Sequence, residues 1–561
     1  MSTAAPETAE IHASRGKMLI AKRQFAAAVI SYDQAITLKP DFAEAYIQRG
    51  NALRKLGQFE SAVTSYDRAL ALLPDHAETH CNRGIALKEL RRFELAVAGY
   101  DRAIALNPAF LAAYANRGVA LAALHQHEAA VASFDQANAL HPGVAFTHLH
   151  RGVSLHALGR YAAAVEAHQK TIALDASSSE AHHNLGLALL QLRQHEAAIA
   201  NFDRAITLNP EFADAYASRG LAMYETRQHQ AAIANYEKAI ALQPTLRIAH
   251  RNLSHLYLQL GDYVKGWEKF EWRMRGEDNP ANRRTFTQPL WLGQESIAGK
   301  TILLHSEQGM GDTLQFCRYA RQVADLGASV ILEVQKPLLG LLGSLEGVTT
   351  LLPKLSVLPP FDLHCPLMSL PLAIRARINN IPSAQGYLRA DAAKVAEWQA
   401  RLGAKTKPRV GLVWSGNQLH KNDQNRSIPL TEFAQLLSDD CEFVCLQKEV
   451  KPADQEILAA HPEIRCFGAE LNDFSDTAAL CELLDLIISV DTSVAHLAGA
   501  LGRPVWILLP FNPDWRWMLE RSDTPWYSRA RLYRGDRLQG WSGVIARVRG
   551  DLSRGLKTDG L

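Results

Sequence analysis

Small and apolar positions in the first half of the chain return every 34 residues. Glycine does so at Gly16, Gly50, Gly84, Gly118, Gly152, Gly186 and Gly220, and proline at Pro40, Pro74, Pro108, Pro142, Pro210 and Pro244, with Ala176 in the one missing place. Alanine keeps a third register at Ala28, Ala62, Ala96, Ala130, Ala164, Ala198 and Ala232. An aromatic keeps a fourth at Tyr32, Tyr66, Tyr100, Phe134, Phe202 and Tyr236, where His168 is the exception. A period of this length marks a stacked array whose units are pairs of amphipathic helices, none able to bury its apolar face alone. The Gly and Ala positions permit close helix approach, the aromatic fills the space between helices, and Pro ends the unit. Seven full units start near Ala9, Ala43, Ala77, Leu111, Ala145, Ser179 and Ala213. An eighth from Arg247 has Ser254 in the glycine slot and Gly266 in the alanine slot, as expected of a terminal unit that docks on something different.

After Trp272 the 34-residue step stops. A polar stretch, 275–287, reads as a linker or docking loop, and beyond it short apolar runs alternate with helical ones. Strands are expected at 301–305, 329–334, 349–352, 409–414, 442–446, 464–467, 486–490 and 504–509, with helices between them. Such alternation means parallel sheets, here in two series, hence two doubly wound domains facing a cleft whose ligands collect at the carboxyl ends of the strands. The expected division is a disordered N-terminus 1–8, a repeat array 9–276, a linker 277–299, a first α/β domain 300–390, a connecting helix 391–408, a second α/β domain 409–540, and a C-terminal helix and tail 541–561.

Composition sharpens this division. At 561 residues the chain is too long for one core. All ten Trp lie between Trp267 and Trp541, so the seven full repeats and the α/β half are different kinds of sequence. Sixty Lys+Arg against 58 Asp+Glu give a formal charge of +2, which argues against a nucleic-acid partner. The first 13 residues are polar and acidic, unlike a signal peptide, and no apolar run approaches the roughly 18 to 20 residues that cross a bilayer. The seven Cys lack Cys-x-x-Cys spacing, and Cys441 and Cys445 bracket a strand-like run, so a disulfide framework or metal site is not expected and a cytoplasmic location is.

Candidate chemistry lies at the strand ends. The run 486–490 breaks into Asp491-Thr492-Ser493 and a helix carrying His496 one turn in. The unpaired N–H groups of such a helix start suit a diphosphate, with Thr492 and Ser493 as hydroxyl donors; a plain capping role for Asp491 or Thr492 is the alternative. After the first strand, Gly309 and Gly311 allow close backbone approach and precede Asp312. The loop 415–429 is polar and basic, with Lys421 and Arg426. No Asp-x-Asp occurs beyond Trp272, so no metal clamp and no cofactor are suggested. The tail carries Trp515, Trp517 and Trp526 with Arg529, Arg531, Arg534 and Arg537, either to stack on a ligand and meet phosphates or to anchor the C-terminal helix.

The repeats resemble tetratricopeptide repeats, which present a concave surface built by the first helix of each pair. Asn82, Asn116, Asn184 and Asn252 stand two residues before the glycine slot. Similarity to the repeats of O-linked N-acetylglucosamine transferases implies that they line that surface and hold an extended protein or peptide; satisfying nearby helix carbonyls is the alternative. Asp491-Thr492, His496-Leu-Ala-Gly499 and Gly502-x-Pro504 resemble the donor-nucleotide motif of glycosyltransferase family 9, the heptosyltransferases, which have two Rossmann-like domains in the GT-B fold. The resemblance spans roughly residues 300–510. It implies an α-solenoid followed by a GT-B unit, a nucleotide-sugar donor, Gly311-Asp312 as the pair whose Asp is general base, with Glu307 as rival, and Arg426 in the place of a phosphate-binding Lys. The function so implied is sugar transfer from a nucleotide diphosphate to a protein or glycan acceptor; a scaffold with an inactive GT-B part is the alternative.

Overall fold

The computed structural model describes residues 8–275, 284, 286–382, 386–417, 422–536 and 540–555. The chain forms two compact units, 1–244 and 245–561. Among the described residues no helix is long and apolar enough to cross a membrane.

The first unit is an α-solenoid of seven helix pairs, from Ala9–Ala21 with Phe25–Leu38 to Ala213–Glu225 with His229–Leu242. The four sequence registers have one packing explanation. A Cβ on Gly16, Gly50, Gly84, Gly118, Gly186 or Gly220 would sit 2.5–2.8 Å from the ring of Tyr32, Tyr66, Tyr100, Phe134, Phe202 or Tyr236 in the second helix of the same pair. The alanine positions from Ala28 to Ala232 are fully buried. A fifth register lies at the turn inside each pair, where Arg23, Gly57, Arg91, His125, Gly159, Arg193 and Arg227 adopt φ between 58° and 74°. First helices of successive pairs approach one another. Ion pairs also link successive units: Arg49 to Asp33, Arg83 to Asp67, Arg117 to Asp101 and Arg151 to Asp135, each at 2.6 Å. Arg219 and Asp203 repeat the pairing.

One unit breaks these rules together. His168 takes the aromatic slot, and Gln169 and Leu185 replace the Asp and Arg of the inter-unit pair. The His168 ring is fully buried and neither nitrogen has a hydrogen-bond partner.

The second unit begins with the eighth helix pair, Arg247–Leu260 and Tyr263–Phe270. The exchanged residues in its two slots meet, since Ser254 Oγ donates to the Gly266 carbonyl at 2.9 Å. This pair docks on the α/β region as a terminal unit should: Trp267 is buried edge-on to Trp515 at 5.2 Å, and Gln259 Nε2 donates to the Pro513 carbonyl at 2.9 Å.

Two parallel sheets follow. The first holds β1 (Thr301–His305), β2 (Ser329–Val334), β3 (Thr350–Pro353) and β4 (Leu363–Pro366) in the order β3-β2-β1-β4. The second holds β5 (Arg409–Val413), β6 (Glu442–Cys445), β7 (Ile464–Cys466), β8 (Leu486–Val490), β9 (Val505–Leu509) and β10 (Ala530–Arg534) in the order β10-β9-β8-β5-β6-β7. Strand order reverses between β5 and β8, which opens a crevice at their carboxyl ends, the usual ligand position of an open α/β sheet. β4 and β10 were not expected. β4 is short and ends in proline, and β10 carries exposed Arg531 within an otherwise buried strand, so neither has a clean apolar run. The helix expected between β1 and β2 is broken by a 3-10 turn, Cys317–Tyr319. The helix Ala392–Leu402 occupies the stretch read as connecting and buries its own Trp398 and Leu402.

The buried His168 makes the array pH-sensitive. Burial, with His156 and His183 beside it, pushes its pKa from 6.5 to about 4. The unfolded chain therefore takes up a proton that the folded one refuses. Stability is full above pH 6.5 and falls as pH drops toward 4, by an amount on the order of 3 kcal/mol. His168→Phe, which restores the residue type of the other units, should remove most of that loss in thermal melts between pH 7 and pH 4.5. An unchanged pH dependence would contradict the assignment.

Candidate functional site

The carboxyl ends of β1, β5 and β8 each release a polar loop, and side chains from the three loops gather with the 3-10 turn Trp515–Trp517. After β1, Gly309 caps the helix Met310–Phe316 and its N–H donates to Asp312 Oδ2 at 2.9 Å, which ties the Asp312 carboxylate to the first turn. Its other oxygen receives Arg516 Nη2. Gly311 lies against the helix Ser493–Ala500: a Cβ there would stand 3.0 Å from His496 Cδ2 and 3.4 Å from Ser493 Cα.

Arg516 is buried and every arm is used. Nη1 donates to Asp514 Oδ1 at 2.8 Å and Nε to Gln315 Oε1 at 2.5 Å. Burial opposes its charge, but Asp514 and Asp312 outweigh that and raise its pKa. Asp491 stands in the same field. Burial and the Asp514 charge push its carboxyl up to about 6, against the pull of Trp517, Arg516 and Arg426. His496 is kept neutral, its pKa driven to about 3 by burial and by Arg516. Its Nδ1 shares a 2.8 Å hydrogen bond with the Tyr527 hydroxyl, its Nε2 lies 3.9 Å from Asp491 Oδ1, and its ring stacks on Trp517 at 5.3 Å.

Arg426 reaches this place from the loop after β5. Its Nη1 donates to the Asp491 carbonyl at 3.0 Å, and its guanidinium lies against Gly416, where a Cβ would come within 2.5 Å of Nη2. The loop is held from both sides. Gln447 Oε1 accepts from the N–H of Trp414 at 2.8 Å and of Ser415 at 2.9 Å, and Asp423 takes Lys451 at 2.7 Å and Ser427 Oγ at 2.9 Å. Lys421 lies outside the described residues.

Six of the sequence-derived positions, Gly311, Asp312, Arg426, Asp491, Ser493 and His496, thus come together around the start of the helix Ser493–Ala500. Gly309 caps the neighbouring helix. Thr492 holds the N-cap with extended backbone, while its hydroxyl is engaged by Ser489 Oγ at 3.0 Å. Glu307 is drawn elsewhere: its buried carboxylate takes Arg273 at 2.7 Å, and Arg273 also binds Glu271 at 2.6 Å. In the repeats, Asn116 Nδ2 donates to the Ala112 carbonyl at 2.8 Å, whereas Asn82 Nδ2 reaches Asn51 Oδ1 of the preceding first helix at 3.3 Å. Asn184 and Asn252 are half-buried on their first helices.

Sequence reasoning missed Arg516, Gln315 and Tyr527. The available signal was Asp514-Trp-Arg-Trp517, a charged pair inside an aromatic run. That run is an anchor, since Trp515, Trp517 and Trp526 are all buried. Of the tail arginines, Arg531 pairs with Asp551 at 2.5 Å, and Arg534 donates to the Met518 carbonyl at 3.0 Å. Arg537 lies outside the described residues.

Comparison with known proteins bears on the repeats. Profiles of the tetratricopeptide repeat match residues 16–56, 50–91, 81–145, 152–193, 179–212 and 213–246, so this part of the chain consists of tetratricopeptide repeats. Protein FlbA of Caulobacter vibrioides is 27% identical over 319 residues, which are 52% of this chain and 53% of FlbA; the chain thus spans about half the length of that relative. Similar solved structures include YrrB, a TPR protein with an unusual peptide-binding site (22% identity, 33% of this chain and 96% of that one, TM-score 0.30). MamA from Desulfovibrio magneticus is another (24%, 31% and 99%, TM-score 0.30), as is a tetratricopeptide repeat protein from Parabacteroides merdae (18%, 44% and 97%, TM-score 0.37).

Arg516 gives the site its most direct stability test. Arg516→Met leaves Asp312 and Asp514 without their shared cation and should destabilise the second unit by about 3–5 kcal/mol. Urea unfolding followed by Trp fluorescence reports this unit selectively, because every Trp lies in it. A loss below about 1 kcal/mol would mean that the pairing is not what holds the loops together.

Proposed function

We propose that the second unit is a glycosyltransferase of the GT-B type, transferring a sugar from a nucleotide diphosphate to a protein or glycan acceptor, and that the repeats select the acceptor or a protein partner. The observation that carries this reading is the meeting of Arg426 with the start of the helix Ser493–Ala500 at the crevice between β5 and β8. A guanidinium and the unpaired first-turn N–H groups of a helix converge there, and both are suited to a departing diphosphate. The family 9 resemblance of the same segment supports the reading independently of the geometry.

In this scheme the donor diphosphate lies over the first turn at Ser493, with Arg426 balancing its charge as the sugar leaves. Neutral His496, oriented by Tyr527, borders the same turn without adding charge. Asp312 takes the proton from the acceptor hydroxyl. Its two oxygens bind Gly309 N–H and Arg516, which fixes their direction. The closeness of Gly311 to the helix start, where a Cβ on it would stand 3.0 Å from His496 Cδ2, supports this role for the adjoining carboxylate. The chain's own residues do this work with positive charge and N–H donors.

Purified full-length protein incubated with a panel of nucleotide sugars should release nucleoside diphosphate with at least one donor. Asp312→Ala should then slow transfer by about 10²- to 10⁴-fold while donor binding persists. Transfer at the wild-type rate in that variant would remove Asp312 from the mechanism. The engagement of both Asp312 oxygens favours one alternative, a scaffold whose GT-B part no longer catalyses; no turnover with any donor by the folded protein is its signature.

A further inference from the structure

The second sheet contains a thiol pair unrelated to the site above. β6 and β7 are parallel neighbours, and their register sets Cys445 directly opposite Cys466. Opposed residues on adjacent strands project to the same face, and a strand spacing of about 4.8 Å lies within the Cα separation of about 4.4–6.8 Å that a disulfide spans. The partners are unequal. Cys445 is buried in the core beneath the sheet, while Cys466, on the edge strand, is the one exposed thiol of the seven. Cys441, which precedes β6, is buried and sits before the paired register begins.

We propose that Cys466 and Cys445 are a redox pair that closes reversibly to an intrachain disulfide by exchange with a low-molecular-weight aliphatic disulfide. The Cys466 thiolate attacks one sulfur of the small disulfide, breaking its S–S bond and expelling one thiolate, which takes a proton. Cys445, deprotonated in turn, attacks Cys466 Sγ and expels the second small thiol. Two protein thiols are oxidised and one small disulfide is reduced to two thiols. The division of labour follows from the environment. A hydrogen bond from the Cys445 thiol holds the Cys466 pKa below its ordinary value, while that same contact and burial raise that of Cys445. The exposed thiol therefore attacks first and the buried one resolves, as in other thiol pairs where nucleophile and resolving group are distinct. The bridge would form two residues from Gln447, whose side chain holds Ser415.

The test treats the full folded chain with oxidised glutathione and reads intact mass and a non-reducing peptide map. The wild type should become lighter by two hydrogens without retaining glutathione, the map should join Cys445 to Cys466, and dithiothreitol should reverse both changes. Cys445→Ser should instead keep glutathione on Cys466 as a mixed disulfide, and Cys466→Ser should lose the reaction. The proposal is overturned if the wild type accumulates glutathione on Cys466 without closing, if it does not react, or if the map joins any other pair. Because the readout is mass, it is independent of whether the protein transfers sugars.

Discussion

The second unit depends on one buried cation. Arg516 sits on a turn between β9 and β10, and its guanidinium meets Asp312 and Gln315 from the helix after the first strand of the other sheet, together with Asp514. A charge taken out of water costs several kcal/mol unless its partners are well placed, so this guanidinium is stable only while the two loops stay together. The aromatic run around it supplies the dry surroundings that make the pairing strong. The same field sets the protonation of its neighbours, leaving His496 neutral and Asp491 reluctant to ionise. Structural pairing and the chemistry of the site therefore share one set of charges.

The repeat array rests on a steric constraint instead. A glycine in each first helix is the floor on which the aromatic of the second helix lies, and any side chain there would overlap the ring. That contact repeats, as do the buried alanine and the Arg–Asp link between units, so the unit interfaces are nearly alike. The departure at His168, Gln169 and Leu185 is a change of three residues in one interface, which trades a ring without polar atoms and an ion pair for a buried imidazole.

The repeats were legible in the sequence because their constraint is local and recurs at one fixed step. Strands such as β1, β5 and β8 were legible because buried parallel strands are short apolar runs. β10 was not, since Arg531 and Arg534 interrupt its pattern, the first pairing with Asp551 and the second donating to the Met518 carbonyl. The candidate site was legible in part. Asp312, Arg426, Asp491 and His496 stand at strand ends, which topology alone marks as ligand positions. Arg516 is about two hundred residues from Asp312 in the chain, and no spacing rule brings them together.

The proposed nucleoside diphosphate would lie between the carboxyl ends of β5 and β8, at the start of the helix Ser493–Ala500. Amide hydrogen exchange of the full chain, with and without a nucleoside diphosphate, reads its binding there. Slower exchange is expected at the N–H groups of Ser493 and Val494 and in the loop bearing Arg426, with the repeats unchanged. Protection confined to another part of the chain, or none with any nucleoside diphosphate, would contradict it.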